Sequence, residues 1–245
     1  MTDPATWLAV PQNLALVPGE VHVWRVPLSV SSHIIARLSS YLDAEETLRA
    51  NRFLLAQHRE HFLVSRAALR VLLGRYLNFS PELVTIAKGP QGKPFLPQSA
   101  NETALRFNLS HSHGLALFAF ACDRELGIDL EKLRPDFASA EIAARYFSSN
   151  EQREWNRLPE SLRTEGFFNA WTRKEAYVKA KGEGLLIPLD SFDVTLTPGA
   201  GAHLRSADSK DWSLMPFSPN PEFVAAIVVQ GGAPQFRFLD GASLF

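Results

Sequence analysis

The sequence predicts an α+β fold made of two similar halves packed face to face. Helical and extended patterns alternate along the 245 residues, and no low-complexity linker interrupts them. A helical region followed by a strand-rich region occurs twice, and the two pairs meet near Asp123. We therefore expect two domains, one formed by residues 1–122 and the other by residues 123–245.

The elements of the first half can be assigned in chain order. Residues 21–28 have the β-branched composition of a strand. Asp43 and Glu46 have the spacing of a capping box, which predicts that a helix begins there. A second helix is predicted from about residue 61 to residue 77, where apolar residues recur at helical spacing. Three strands then follow, separated by glycine, proline and polar turns, with the sequences LVTIAKG, ALRFNLS and LALFAFA.

The second half repeats this plan loosely. It begins with a strand, LGIDLEKL, and continues with helices over SAEIAARYF and residues 151–158. A further helical pattern contains Trp171. The chain closes with three predicted strands, FDVTLT, WSLMPF and FVAAIVVQ.

Composition excludes several classes of function. Hydrophobic residues make up 46% of the chain and charged residues 21%, which is ordinary for a soluble globular protein. The net charge of −1 gives no electrostatic reason to expect binding to nucleic acid or to a membrane. We expect no secretory signal and no membrane-spanning segment, because no basic region precedes an apolar stretch of the required length. A single cysteine, Cys122, excludes an intrachain disulfide, and we expect a cytoplasmic protein.

The helical stretch WTRKEAYVKAKGEGL carries a carboxylate and an amine on one face. Glu175 and Lys179 lie one turn apart, Trp171 lies one turn before Glu175, and the pattern ends at Gly182 and Gly184. Such a pair is either a surface ion pair or part of an active-site wall. The helix alone does not decide between these two interpretations.

Two further acids lie in an apolar, β-branched segment upstream. Asp129 and Glu131 are two residues apart, so on a strand both carboxylates point to the same face. Like charges side by side require basic partners or a divalent metal to offset their repulsion. Oxygen ligands suit magnesium, which keeps part of its hydration shell and bridges to a substrate phosphate. The alternative is an exposed strand whose paired acids face solvent.

Two polar segments are compatible with a phosphate ligand. In KGPQGKPFLP, the lysines Lys88 and Lys93 flank a glycine-rich turn whose backbone can approach a ligand, although an ordinary surface hairpin would have the same sequence. In FNLSHSHG, serine and histidine side chains cluster at the end of a strand. His111 and His113 lack the further ligands of a zinc site, and no nucleophile-elbow pattern is present, so we expect donation to a phosphate.

Taken together, these motifs resemble those of the 4′-phosphopantetheinyl transferases, specifically the larger, surfactin-synthetase-activating type. The similarity follows chain order through GKP, FNLSHS, GIDLE and WTRKEAYVKAKGEGL, which cover the central part of the chain. Each motif is weak alone, whereas their joint order and spacing are specific. The resemblance implies two α/β halves related by a pseudo-twofold axis within one chain, with the active site at their interface.

The resemblance also implies a reaction. Phosphopantetheine would pass from coenzyme A to a serine hydroxyl of an apo acyl carrier protein or peptidyl carrier protein domain, and adenosine 3′,5′-bisphosphate would be released. By similarity, Mg²⁺, for which Mn²⁺ could substitute, would be held by Asp129, Glu131 and Glu175. Glu175 is also the candidate general base, Lys179 would stabilise developing charge on phosphate, and these two residues with Asp129 form the expected catalytic set.

The same similarity assigns contacts to coenzyme A. Glu46 occupies a position that is basic in relatives, and its role as a cap shifts the expected 3′-phosphate contact to Arg49 and Arg52. Both arginines could equally be solvated helix charges. The full set expected to contact coenzyme A is Arg49, Arg52, Lys88, Gly92, Lys93, Pro94, Asn108, Ser110, His111 and Lys179.

Lys174 is offset from the catalytic face, which favours a structural ion pair. We expect a monomer that binds neither nucleic acid nor membrane. Two alternatives remain open at this point: a different magnesium-dependent phosphoryl or nucleotidyl transferase, and a non-catalytic carrier-binding module of the same fold. The retained acids argue against the non-catalytic module, because such a module has no need for several buried acids near one another.

Overall fold

Helices and strands alternate throughout the computed structural model, which describes residues 5–11, 14–100 and 103–245. Within these residues the α-helices are α1 Ser32–Leu38, α2 Ala44–Ala50, α3 Ala56–Leu77, α4 Ala140–Tyr146, α5 Ser149–Arg157 and α6 Glu160–Lys181. The strands of the first half are β1 Glu20–Pro27, β2 Ala87–Lys88, β3 Pro94–Phe95, β4 Leu105–Ser112 and β5 Leu115–Cys122. Those of the second are β6 Leu126–Lys132, β7 Asp193–Val194, β8 Leu204–Arg205, β9 Trp212–Phe217, β10 Phe223–Gln230 and β11 Gln235–Asp240. The predicted α+β class is confirmed.

Two sheets organise the molecule. The first has the strand order β11-β1-β5-β4, and the second has the order β6-β10-β9. Helix α3 packs on the first sheet and α6 on the second, each burying an apolar cluster of its own. A third cluster, which includes Val23, Leu117, Ile128 and Ile227, lies between the two sheets and joins them. Burial of these side chains is the main favourable contribution to the association of the halves.

The last strand returns to the first sheet. β11 pairs in parallel with β1, and Arg25 Nη2 lies 2.6 Å from Asp240 Oδ2 across this pair. The sequence analysis did not identify β11 as a strand. The division into residues 1–122 and 123–245 stays a prediction.

Side chains rather than backbone carbonyls connect β4 to β6. Asn108 Oδ1 accepts a hydrogen bond from the Ile128 N–H at 2.9 Å. Ser110 Oγ accepts from the Leu130 N–H at 3.2 Å, and Ser112 Oγ from the Lys132 N–H at 3.3 Å. The constant offset of twenty residues makes the two strands parallel. We call this row of three bonds the β4–β6 seam.

Two predicted strands are shorter than expected because side chains satisfy their backbone groups. In LVTIAKG only Ala87–Lys88 is a strand, and the Val84 carbonyl accepts from Arg70 Nη1 at 2.8 Å. In FDVTLT only Asp193–Val194 is a strand, and the Val194 N–H donates to Glu151 Oε1 at 2.7 Å. These arginine and glutamate contacts take the place of a strand partner.

Other predicted elements agree closely with the structure. The Asp43–Glu46 capping box is present, with the Glu46 N–H donating to Asp43 Oδ1 at 2.8 Å. α3 begins five residues before the predicted start, and α6 begins at Glu160, upstream of the motif that predicted it. Among the described helices, none has the length and apolar composition needed to cross a bilayer. Near the N-terminus, where no secretory signal is expected, residues 1–4, 12 and 13 lie outside the described residues.

Candidate active site

The end of α6 is held closely against β6. A Cβ atom added to Gly127 would lie 2.2 Å from both the Ala176 carbonyl oxygen and the Ala180 nitrogen. The glycine of the GIDLE motif is therefore required for the helix to approach the strand. This approach brings Glu175 and Lys179 of the helix next to the acids of the strand.

Lys179 pairs with Asp129 and not with Glu175. Its Nζ donates to Asp129 Oδ1 at 2.6 Å and lies 3.2 Å from Ser110 Oγ. The surface ion pair between Glu175 and Lys179 that the sequence allowed is therefore replaced by a bond between α6 and β6. Glu175 stays half-buried, and burial and the nearby Asp129 raise its pKa.

The acids of β6 form a region of excess negative charge. Burial and the adjacent Asp129 raise the pKa of Glu131 to about 6. Asp129 is buried, and its Oδ2 has no hydrogen-bond partner among the described residues. The predicted neighbourhood of Asp129, Glu131 and Glu175 is thus present, since Asp129 raises the pKa of both glutamates.

The serines of FNLSHS hold these carboxylates. Ser110 Oγ donates to Asp129 Oδ1 at 2.9 Å, and Ser112 Oγ donates to Glu131 Oε2 at 3.0 Å. Each serine uses its oxygen for the β4–β6 seam and its proton for an acid. Ser110 and Asn108 are buried, and their side chains already form bonds of the seam. Their expected contact with coenzyme A stays a prediction, and such a contact would compete with these bonds.

Donor atoms suited to a divalent cation are present. Carboxylate oxygens are the ligands that magnesium prefers, and a buried oxygen with no partner beside two carboxyls of raised pKa is chemically suited to a cation. In the part of the chain that the structure describes, no three His, Cys, Asp or Glu side chains already form a coordinating cluster.

Basic side chains gather next to the acids. The pKa of His111 is lowered because protein atoms surround much of its ring and because Lys179, Arg66 and His61 are positive nearby. Arg66 lies in turn near Arg49, and its own pKa is lowered by burial and by that charge, although Glu46 opposes the effect. Arg66 was not predicted from the sequence. The available signal was its position one helical turn before Arg70. In the structure, the Arg70 guanidinium is already used by Asp43 and Glu46.

The GKP hairpin closes one side of the site. Lys93 Nζ lies 3.1 Å from Glu125 Oε2 and donates to the Leu126 and Ala180 carbonyls at 3.1 and 3.2 Å. This ammonium group therefore fastens the hairpin to β6 and α6, and its predicted contact with coenzyme A would compete with these bonds. Lys88 forms an ion pair with Glu45. Gly92 has φ of 79°, a left-handed conformation that the turn requires.

Most of the predicted site residues line two adjoining cavities. The first, of about 310 Å³, is largely apolar and is lined by Gly92, Lys93, Pro94, Asn108, Glu175, Lys179, Gly182 and Gly184, among others. The second is lined by Arg49, Arg66, Lys88 and Pro94, together with the acids of the α2 cap. Pro94 lines both cavities. Asp129, Glu131, Ser110 and His111 line neither cavity. Arg52 also lies outside them, in a surface hollow that it shares with Arg49 and Lys88.

Lys174 is a structural residue. Its Nζ is fully buried, 2.8 Å from Glu151 Oε2, and donates to the Leu189 and Phe192 carbonyls at 2.6 Å each. The predicted structural ion pair is therefore present. It fixes the segment that follows α6 beside the site.

Comparison with known proteins gives the family. Residues 125–228 match the model of the 4′-phosphopantetheinyl transferase superfamily, and residues 29–123 match that of the 4′-phosphopantetheinyl transferase N-terminal region. The 4′-phosphopantetheinyl transferase HetI of Nostoc sp. is 41% identical over 233 residues, which are 95% of this chain and 97% of that protein. The 4′-phosphopantetheinyl transferase Sfp of Bacillus subtilis is 30% identical over 173 residues, 71% of this chain and 75% of that protein.

Among solved structures, the holo-(acyl-carrier-protein) synthase of Bacillus anthracis, in complex with CoA (3′,5′-ADP), matches with a TM-score of 0.37 and 26% identity. The match covers 44% of this chain and 96% of that one. Both halves of the present sequence are matched by family models, and the HetI alignment runs over nearly the whole of both proteins. The chain belongs to the 4′-phosphopantetheinyl transferase superfamily and is a transferase of the larger, surfactin-synthetase-activating type.

Proposed function

We propose that this transferase moves 4′-phosphopantetheine from coenzyme A to a serine of an apo acyl or peptidyl carrier protein and releases adenosine 3′,5′-bisphosphate. The observation that best supports this proposal is the contact of Lys179 with Asp129, because it brings α6 and the acids of β6 into one site. The basic group around His111 and Arg66 adjoins this site. A substrate with one phosphate near the bases and a pyrophosphate near the acids fits this division of charge.

The 3′-phosphate of coenzyme A is assigned to the basic group. Arg66 and Arg49 line the cavity that adjoins the catalytic one, and His111 is near both Arg66 and Lys179. Arginine binds phosphate through paired N–H donors, and a phosphate there would relieve the repulsion among these cations. We add Arg66 to the residues assigned from the sequence and regard Arg52, at the periphery, as a weaker contact.

Asp129, Glu131 and Glu175 would hold Mg²⁺, with Mn²⁺ as a possible substitute. When bound, the ion would neutralise charge on the pyrophosphate and polarise its phosphorus. Ser110 and Ser112 would keep the two strand carboxylates in place, since each donates its hydroxyl proton to one of them. Lys179 would stabilise negative charge on the departing phosphate.

In the reaction, the acceptor serine Oγ attacks the phosphorus that bears pantetheine. The bond between that phosphorus and the bridging pyrophosphate oxygen breaks, and the electron pair leaves on adenosine 3′,5′-bisphosphate. Glu175 would take the serine proton directly or through water, because it is the carboxylate that lines the cavity beside the acids of β6. The largely apolar cavity beside it would hold the pantetheine arm and exclude water.

The test combines the purified protein, coenzyme A, MgCl₂ and several apo carrier proteins, and measures the intact mass of each carrier. We expect a mass increase of one phosphopantetheine, dependent on both coenzyme A and the metal. No increase with any carrier would contradict the proposal. Carrier binding without transfer would instead identify a non-catalytic module, and a nucleotide or phosphate adduct would identify a different phosphoryl or nucleotidyl transferase.

Cellular location and assembly state form part of the same proposal. Residues of both halves contribute to the site, so a second copy of the chain is not required, and we propose a monomer. A cytoplasmic location is supported by the single cysteine, since disulfide frameworks mark oxidising compartments.

A further inference from the structure

Residues 51–60, which connect α2 to α3 and form the first turn of α3, are exposed without exception. Three of them are consecutive large apolar residues: Phe53, Leu54 and Leu55, with 36%, 100% and 60% of their surface exposed. Leu48, 62% exposed, lies on the preceding helix. We call Leu48, Phe53, Leu54 and Leu55 the Leu54 patch.

The backbone that carries the Leu54 patch is hydrogen-bonded, although the leucine side chains are exposed. Backbone bonds fix the segment, including Arg52 N–H to the Arg49 carbonyl at 3.1 Å and Arg59 N–H to the Leu55 carbonyl at 3.1 Å. Phe53 alone of the patch has an aromatic contact, with its ring 5.3 Å from that of Phe62. An apolar group that clusters in solvent on a hydrogen-bonded backbone marks an interaction surface more often than a scattered exposed leucine does.

The surroundings of the patch are basic. Arg49 and Arg52 line the hollow on one side of Phe53, and Arg59 lines the hollow on its other side. Glu45 is neutralised by its ion pair with Lys88, which leaves Glu60 as the nearby acid against three arginines. An apolar centre with a cationic rim is complementary to a partner that presents apolar side chains among acidic ones.

The patch lies at the active-site end of α3. From Leu55 to His61 the helix rises by about 9 Å. The His61 ring packs against Gly114 in the turn between β4 and β5, and His61 is among the charges that act on His111. A protein bound on the patch would therefore lie on the same side of the molecule as His111. The other end of this 22-residue helix, near Arg75, is about 30 Å away.

We propose that the Leu54 patch is the docking surface for the carrier protein, and that it recognises an acidic carrier surface with exposed apolar side chains. This inference rests on the proposed function, because the occupant is the acceptor of that reaction. The apolar side chains of the patch would anchor the carrier protein, and the arginines around it would orient the carrier protein. Leu54 and Arg59 have no assigned role in coenzyme A binding or in the chemical step, whereas Arg49 and Arg52 are also assigned to the 3′-phosphate.

The test uses two variants with matched controls. Leu54→Ser removes the fully exposed anchor, and Leu83→Ser removes an exposed leucine outside the patch, in the short turn that follows α3. Arg59→Glu reverses a charge of the rim, and Arg75→Glu reverses an exposed charge in the last turn of the same helix. Because all four side chains are exposed, the melting temperature should change little.

We expect Leu54→Ser and Arg59→Glu each to raise the KM for an acidic apo carrier about tenfold, with the KM for coenzyme A unchanged. Added salt should weaken carrier binding by the wild type more than by Arg59→Glu. Both control variants should retain wild-type values. An unchanged carrier KM in Leu54→Ser would overturn the docking inference while leaving the transferase proposal intact.

Direct binding separates the remaining outcomes. Titration of wild type with apo carrier, without coenzyme A, should show binding that Leu54→Ser weakens. If transfer fails but this binding persists, docking stands and the proposed function is wrong. If neither occurs, both are wrong. If the wild type is a concentration-dependent dimer that Leu54→Ser dissociates, the patch binds a second copy of the chain and the docking inference is overturned.

Discussion

Lys179 Nζ and Asp129 Oδ1 lie 2.6 Å apart, although fifty residues separate them in the chain. This contact crosses from α6 to β6. Asp129 Oδ2 lacks a partner among the described residues. Burial, and after it the charge of Asp129, raises the pKa of both Glu131 and Glu175. Asp129 is thus the centre of the charge arrangement in the candidate site.

We expect Asp129→Asn to lower the transfer rate by at least about 100-fold, because it removes the central negative charge of the expected metal site. Lys179 is half exposed and can remain solvated, so the melting temperature should be retained. Mn²⁺ binding, followed by electron paramagnetic resonance, should weaken in parallel. Asp123→Asn serves as the control, because Asp123 is exposed and asparagine tolerates its positive φ of 52°. Full activity in Asp129→Asn would remove this residue from the site.

Arg66→Gln should weaken the binding of coenzyme A about tenfold or more, because a charge-assisted phosphate contact is lost. The affinity for 3′-dephospho-coenzyme A should stay nearly unchanged, since that ligand lacks the assigned group. Isothermal titration of both ligands measures the difference. Arg75→Gln, an exposed change on the same helix, should alter neither affinity. Equal losses for the two ligands would show that Arg66 does not contact the 3′-phosphate.

Gly127→Ala should lower the free energy of unfolding by about 3 kcal/mol, because its methyl group would clash with the α6 backbone at Ala176 and Ala180. Gly232→Ala is the matched control, since nothing lies within 4 Å of the added carbon there. Denaturant titration of both variants gives the comparison. Equal stability of the two would mean that α6 can move away from β6 without loss.

His22 should make stability depend on pH. It is fully buried between the Tyr76 hydroxyl, 2.7 Å from Nδ1, and Glu20 Oε2, 3.2 Å from Nε2. The Glu20 carboxylate can only accept, so the neutral His22 ring donates to it from Nε2, and Nδ1 accepts from the Tyr76 hydroxyl. The Tyr76 oxygen also accepts from Trp24 Nε1 at 2.9 Å. Burial is the largest influence and lowers the pKa of His22 below its ordinary 6.5.

The unfolded chain therefore takes up a proton below about pH 6.5 that the folded chain resists. The contribution to stability is complete above that pH and is lost as the pH falls towards the lowered pKa, by at most about 1.4 kcal/mol per pH unit. Denaturation between pH 5 and 8 should show a shallower slope for His22→Gln than for wild type. His33→Gln, at an exposed histidine, should keep the wild-type slope. Identical slopes in all three proteins would contradict this assignment.

The sequence was most informative where the interactions are local. The Asp43–Glu46 cap, the helical spacing of Glu175 and Lys179, and the pairing of Asp129 with Glu131 on one strand depend on neighbouring residues, and the structure contains all three. The family and the α+β class were also predicted, since several ordered motifs determine them together.

Contacts between distant segments could not be predicted in the same way. Lys93 was assigned to the ligand because it flanks a glycine-rich turn, whereas its partners are Glu125, Leu126 of β6 and Ala180 of α6. The position of Arg66 one helical turn before Arg70 does not by itself indicate a ligand, and only folding brings Arg66 near His111. β11 was missed because its partner β1 lies at the other end of the chain.

The β4–β6 seam separates the FNLSHS motif into two sets of alternate residues. Asn108, Ser110 and Ser112 face the second half of the chain, whereas His111 is exposed on the opposite side of the strand. Tolerance to substitution should follow the same alternation along this one strand. Changes at the three seam positions would loosen the attachment between the halves, whereas a change at His111 would alter ligand affinity in a protein that still folds.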